Sequence, residues 1–359
     1  GTIGAAGRMA GTGLVEGDLM VEAGGVVAPG NSIGTLTVVG DIIFNAGSIF
    51  EVEVNAAGEA DHLHTFGAVT LNGGEVQVLA GMGDYAPATT YTILTGEDGR
   101  SGEFASVTSN LAFLDPSLSY DASNVYLTMT RNAVTFDNVG ITPNQIAAGS
   151  GTESLGSGNG VFDAVLDLSA DQARAAFDRL SGEIHASART AMLEDSRFVR
   201  NATWDRLRGA TSDDKGGAWG RGFGSWGHTG GDGNAARLNR STGGLVMGAD
   251  GALGDALRLG AVWGYSRTDV NVNGRGSSGK IDSYHLGAYA GGQWDATAVR
   301  IGIAHSWHDV HTTRTIAFPD FSDTARAGYN GGTFQAFGEL GHAFDLGRAR
   351  IEPFANIAY

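Results

Sequence analysis

Residues 256–267, ALRLGAVWGYSR, place Leu257, Leu259, Ala261, Trp263 and Tyr265 on one parity and Arg258, Gly260, Val262, Gly264 and Ser266 on the other. Period two is the signature of a strand, whose successive side chains leave opposite faces. The same dyad returns in SYHLGAYAGGQW, in AVRIGIAHSW and in RIEPFANIAY, where Ile351, Ala355, Ile357 and Tyr359 oppose Glu352, Phe354 and Asn356. About seven strands follow from it, near 217–227, 242–253, 256–268, 281–294, 297–311, 326–344 and 348–359. Each is about ten alternating residues closed by Trp or Tyr and separated by Gly, Asp or Asn turns, the pattern of a membrane β-barrel.

Hydrocarbon satisfies no N–H or C=O group, so spanning strands close into a barrel, apolar outside and small or polar within. On this reading Leu257, Leu259, Trp263, Tyr265, Ile301, Ile303 and Trp307 face lipid. Arg258, Arg300, Gln293 and Glu352 face the lumen. Small inward residues (Gly260, Gly264, Gly287, Gly302, Ala304) favour a lumen over the filled core of a soluble sandwich, which also alternates.

Residues 1–132 follow a different pattern. GDLMVEAGGVV from Gly17, GDIIFNAGSIF from Gly40 and GAVTLNGGEVQ from Gly67 align at offsets of 23 and 27 residues. Repeats of this length suit solenoid coils, each burying its apolar side against the next. The expectation is the last coils of a parallel β-helix, with a β-sandwich as the alternative. Residues 133–168, including AAGSGTESLGSGNG, read as a flexible linker. At Ser169, SADQARAAF opens a helix with a capping box. A second helix from Gly182 to Arg208, with a break at Ser181 and Gly182, completes a helical linker over 169–209.

Twenty-seven helical residues span about 40 Å, close to the full thickness of a bilayer. Glu183, Arg189, Glu194, Asp195, Arg197, Arg200, Asp205, Arg206 and Arg208 surround this helix, and a charge facing lipid costs about 3 kcal/mol. Such a rod fits a water-filled barrel interior, although a solvated surface helix has the same composition.

Composition narrows the function. The chain has 359 residues and 58 glycines, and the glycines lie inside strand patterns as well as between them. A net charge of −16 opposes nucleic-acid binding, which needs a basic face. The absence of cysteine removes disulfides, thiolate metal sites and cysteine nucleophiles. No cofactor or metal is expected. GRGSSGK (274–280) has the spacing Gly274, Gly276, Gly279, but strands flank it on both sides, so it reads as a hairpin loop and not a dinucleotide fingerprint. Asp61, His62 and His64 lack a third histidine nearby. His305, His308 and His311 alternate in face, so joint metal binding would need a bend, and a solvated loop or interfacial cluster is the simpler reading. No nucleophile elbow or triad is assignable.

GGAWGRGFGSWG (216–227), GGLVMGADGAL (243–253), LRLGAVWGYSRTDV, DSYHLGAYAGGQW and IEPFANIAY resemble barrel strands of the autotransporters, specifically their pertactin-like branch. VVAPGNSIGTLTVVGDIIFNAGSIFEVEVN (26–55) resembles the end of their passengers, and FDRLSGEIHASARTAM their linker helix. The resemblance implies an all-β chain with one helical linker. Coils of a right-handed parallel β-helix (1–132, autochaperone-like) precede the linkers and a truncated barrel over 216–359, with about seven of twelve strands. It implies a non-enzymatic domain that exports and anchors its own passenger, an adhesin or virulence factor, at the surface of a Gram-negative cell. Outer-membrane lipid, the barrel-assembly machinery, periplasmic chaperones and host surface ligands are the implied partners. Some members cut their passenger at an asparagine pair in the helix; here a single Asn201 followed by Ala202 is the candidate. A soluble secreted β-rich hydrolase or binding protein is the alternative.

Overall fold

The computed structural model describes residues 1–81, 88–210, 215–254, 256–347 and 349–359. The chain divides into two compact units, Gly1–Ser181 with Ala317–Ser322, and Gly182–Ile316 with Asp323–Tyr359.

In the first unit the repeat seen in the sequence is the structural register. Leu19 pairs with Ile42 and Ile42 with Val69 in parallel, so the three aligned glycine-led segments stack as successive rungs. Two further sheets run alongside: 8–11, 26–29, 49–54, 75–80 and 106–109 form one, and 13–15, 35–38, 62–65 and 88–96 the parallel part of the other, which 124–131 and 114–120 continue as antiparallel strands. The three parallel stacks, wound by one chain, make a β-helix. Its interior holds Phe44, Phe50, Val52, Leu63 and Val76, all fully buried.

The glycine and aspartate of the repeat have a mechanical role. Asp18 accepts a hydrogen bond from Asp41 N at 3.0 Å, and Asp41 from Ala68 N at 2.8 Å. A Cβ on Gly40 would lie 2.2 Å from the Asp18 carboxylate, and one on Gly67 2.5 Å from that of Asp41. Each glycine therefore makes room for the aspartate of the coil before it. Asp61, almost wholly buried, accepts from Gly34 N and Glu53 N, both at 2.9 Å. Burial pushes its carboxyl up to about 6 despite those two donors.

Residues 133–168 are not the flexible linker expected from their glycine and serine. They contain a 3-10 turn (Phe136–Val139) and helices α1 (Pro143–Glu153) and α2 (Gly160–Leu166). Thr142 and Asn159 cap the two helices, and Pro143 presets the first turn of α1. Phe136 packs on Phe113 at 4.7 Å and Phe162 at 4.8 Å, an apolar cluster that α3 (Ala170–Leu180) joins through Phe177. Gly149 permits contact rather than motion, since a Cβ there would meet Asp137 N at 2.9 Å. The capping box of Ser169 and Gln172 opens α3 as expected.

The second unit holds a seven-stranded antiparallel sheet whose order follows the sequence. Its strands are β1 (Gly216–Thr229), β2 (Leu238–Leu253), β3 (Leu257–Val272), β4 (Ser277–Trp294), β5 (Thr297–Phe318), β6 (Phe321–His342) and β7 (Phe354–Ala358). Gly274 and Gly276 lie in the turn between β3 and β4, Gly276 left-handed at φ 61°, and Gly279 opens β4, so this stretch is a hairpin. β5 runs unbroken through His305, His308 and His311 instead of loosening into a loop, and no three-residue metal cluster occurs among the described residues.

Glycine on the inner face of this sheet does not leave empty space. A Cβ on Gly248 would lie 2.5 Å from the Trp219 ring, on Gly244 2.5 Å from Phe223, on Gly260 2.3 Å from Tyr289 and on Gly302 2.3 Å from Phe337. Four aromatic rings thus lie across glycines on neighbouring strands. Gly264 and Gly287 are filled by close backbone approach, 2.7 Å and 2.6 Å from neighbouring carbonyl oxygens. The lumen expected from small residues is in fact a packed wall.

Candidate functional site: the helix and the inner face of the sheet

Helix α4 (Glu183–Gly209) carries 27 residues with charges on several faces. Its neutral small residues make the first contact. Ile184, Ala188 and Ala191 pack with Val270, Ile281 and Val310, and Val199, Ala202 and Leu207 with Val246, Val262 and Ala304. Leu207 fills the gap at Gly291, where a Cβ would come within 2.8 Å of it. Phe198 stacks on Phe223 of β1 at 4.5 Å, and Arg208 lies over the Phe354 ring of β7 at 4.1 Å. The sheet therefore wraps the helix from its first strand to its last.

Charge pairing then fixes the height of the helix. Near its start, Glu183 accepts from Ala236 N at 3.1 Å and from Arg275 Nε at 3.2 Å. Midway, Glu194 pairs with Arg240 at 2.6 Å, and Asp195 accepts from Thr242 at 3.1 Å and Thr268 at 2.6 Å. Gln335 donates to Ser196 O at 3.0 Å and accepts from Arg200 at 3.3 Å.

Near the end two carboxylates dominate. Asp250 on β2 receives both nitrogens of Arg206, at 2.7 and 2.8 Å, together with Arg258 and the Tyr289 hydroxyl at 2.8 Å. Trp219 donates to that hydroxyl at 2.7 Å. Glu339 on β6 receives Arg208 in the same forked manner and Arg300 at 2.9 Å, and Arg300 also reaches Glu352 at 2.7 Å. The Asp250 and Glu339 side chains are 0% exposed. A forked arginine pair is directional, and removing one partner from a buried pair costs about 3–5 kcal/mol. Sliding the helix by one turn, about 5.4 Å, would break every one of these bonds.

The sequence-based site residues fall into clear groups. Arg258, Arg300 and Glu352 are brought into the two carboxylate networks. Gln293 is not: it is exposed at the end of β4 and donates to Asp295 O at 3.1 Å, because the strand there has passed beyond the helix. Leu257, Leu259, Trp263, Tyr265, Ile301, Ile303 and Trp307 are exposed on the opposite face. Asn201, the cleavage candidate, is exposed and its side chain makes no hydrogen bond among the described residues; Ala202 is buried beside it. Asp250 and Glu339 were missed. Parity would have found Asp250, two steps from Gly248 and four from Val246 on the same face as Arg258's neighbours.

Residues 218–359 match the family model described as Autotransporter beta-domain. This segment is an autotransporter β-domain. Domains of this kind are outer-membrane translocators. No helix of the described residues is long and apolar enough to cross a membrane, which says nothing of strands. Two extracellular serine proteases of Serratia marcescens are similar over most of the chain. One is 32% identical over 98% of this chain and 39% of its own length, the other 30% identical over 87% and 35%. The chain thus spans less than two fifths of these relatives. Among solved structures, the β-domain of the Bordetella autotransporter BrkA is 25% identical over 40% of this chain and 57% of its own (TM-score 0.35). The translocator domain of NalP from Neisseria meningitidis is 12% identical over 48% and 77% (TM-score 0.30).

Proposed function

We propose that this chain is the membrane end of a self-exported surface protein: the autotransporter β-domain sits in the outer membrane, α4 threads it, and residues 1–132 are displayed outside as the end of a passenger. The observation that carries this reading is the inverted polarity of the sheet. Buried carboxylates grip helix arginines on one face, while the other is apolar between aromatic rows. Tyr284 and Trp294 lie ten residues apart on that outer face of β4. At about 3.3 Å per residue and a tilt of about 40°, they are roughly 25 Å apart along the membrane normal, the height of a barrel's apolar band.

In this reading Leu257, Leu259, Trp263, Tyr265, Ile301, Ile303 and Trp307 face lipid, and Arg258, Arg300 and Glu352 hold the helix through Asp250 and Glu339. The barrel-assembly machinery and periplasmic chaperones are the partners of insertion. The proteolysis named for the Serratia relatives belongs to those whole proteins; residues 1–359 are assigned carriage and display, with host attachment by the β-helix as a passenger task. Asn201–Ala202 lies within the continuous α4, away from the carboxylates that grip it, and the reading includes no cleavage there.

The test is expression in a Gram-negative host, followed by outer-membrane fractionation and gels with and without boiling. A heat-shifted outer-membrane band, with an epitope in residues 1–132 removed by protease added to intact cells, is expected. A soluble band indifferent to heating contradicts the reading. A released fragment ending at Asn201 would show that the helix is cut.

A further inference from the structure

We infer that the outer face of β4, β5 and β6 carries a binding site for a phosphorylated glycolipid of the outer leaflet, its phosphate on His305 and one acyl chain in the groove beneath. The inference rests on the outer-membrane reading above.

Two independent features meet there. Below His305 lies a groove of about 610 Å³ whose lining includes Ala288, Ala290, Ile301, Ile303, Ala336 and Gly338. Ile303 is paired with Ala288 and Ile301 with Ala290. The small residues on β4 and β6 leave troughs on either side of the isoleucine ridge. A smooth apolar surface would serve ordinary solvation by lipid, whereas a recessed one gives a chain contact on several sides.

His305 is the second feature. On the outer face of β3, β4 and β5, it is the one histidine or charged residue between the Tyr265, Tyr284, Trp307 row and Trp294; His342, on the Trp294 rung, already bonds Thr297 at 3.0 Å. It makes no hydrogen bond among the described residues. An ionisable group inside the apolar band is costly unless it has a partner. Its ring meets Trp307 edge-on at 4.6 Å and leans over Gly332, where even a Cβ would be only 3.4 Å from Cε1 and Nε2. The neighbouring charges are already paired: Asp282 with Tyr265 and Arg267, and Asp309 with His311. The imidazole is left to seek a polar group from the membrane itself.

Orientation selects the leaflet. The groove runs from His305 away from the end at which Glu183 and Arg275 meet, and residues 1–182 enter α4 at that end. The headgroup therefore lies on the passenger side. Four residues separate His305 from Ile301, about 13 Å along the strand, which fits a chain of one leaflet. The passenger-side leaflet of an outer membrane is lipopolysaccharide, whose lipid anchor carries phosphates.

The experiment is native mass spectrometry of the full-length protein, extracted from outer membranes and titrated with lipopolysaccharide, with the same lipid after enzymatic dephosphorylation, and with phosphatidylglycerol. One lipopolysaccharide is expected to stay bound, with affinity at least tenfold weaker for each of the other two lipids. His305→Leu should weaken lipopolysaccharide at least tenfold and remove the preference for phosphate. Gly338→Phe should abolish retention, and Ala249→Trp, outside the groove, should leave it unchanged. Equal retention of all three lipids by wild type would overturn the site in favour of unselective lipid coating, and this comparison needs no variant to fold. Unchanged binding by a heat-shifted His305→Leu protein would overturn the role of the imidazole. A missing heat-shifted band for wild type would instead remove the outer-membrane reading itself.

Discussion

The β-helix and the barrel sheet use the same alternation and turn it opposite ways. In the β-helix, Leu19, Ile42 and Val69 point inward to a dry core. In the sheet, Leu257, Leu259, Ile301 and Ile303 point outward, while Asp250, Glu339, Arg258 and Arg300 are buried on the helix side. Period two establishes a strand in both cases; it does not say which face meets the core. That is decided by what the second face can pair with. Coils of a solenoid bury apolar rows against the next rung, whereas the sheet buries charges because α4 and neighbouring strands supply their counterparts.

The contrast gives graded expectations. The largest is Asp250→Leu, which leaves Arg206 and Arg258 buried without their shared carboxylate and should cost about 3–5 kcal/mol. The heat-shifted band should weaken or vanish, and Arg206→Leu in the same chain should restore part of it. Next is Leu259→Arg, which places a cation on the outer face near mid-band and should cost about 2–4 kcal/mol. Thr37→Arg, on the outer surface of the β-helix, should change urea stability by less than about 0.5 kcal/mol. A small effect of Leu259→Arg in lipid would erase the contrast.

Packing supplies the third. Gly302→Val must displace the Phe337 ring and should cost about 1–3 kcal/mol as an overpacked site. Slower appearance of the heat-shifted band is the readout, and unaltered assembly would show that the glycine only saves space.

Apart from the Thr37 control, the smallest expectation concerns pH in the β-helix. Asp61, held up to about 6 in the fold against about 3.9 unfolded, binds its proton more tightly when folded. Its contribution is fully present below the unfolded value and is lost as pH rises through about 6. From pH 7 to pH 5 the unit should gain about 1 kcal/mol from this group. His62, whose value burial lowers, acts in the opposite direction over part of the same window. Thus the difference between wild type and Asp61→Asn isolates the aspartate. Equal slopes in urea midpoints monitored by circular dichroism would refute the assignment.

Much of this architecture was legible. The 23-residue offset became the register of Leu19 on Ile42, and parity placed Arg258 and Arg300 beside the helix because strand alternation is local. What escaped depends on contacts distant in sequence. Gly149 reads as flexibility until Phe136 is seen packed against it. Parity with Val246 places Asp250 on the inner face, but that it binds Arg206 of α4 is a contact 44 residues distant in sequence that no local pattern shows. Gln293 has lumen parity, but parity carries no information on where the helix ends.

The central claim is the inverted polarity of the sheet around α4. Its most direct test is a nitroxide scan over 257–266 of the full protein in lipid vesicles, reading collisions with oxygen and with a water-soluble nickel chelate. The account predicts high oxygen access at 257, 259, 261, 263 and 265, with low access to both reagents at 258, 260, 262, 264 and 266. Loss of the two-residue period, or chelate access at the odd positions, would contradict it.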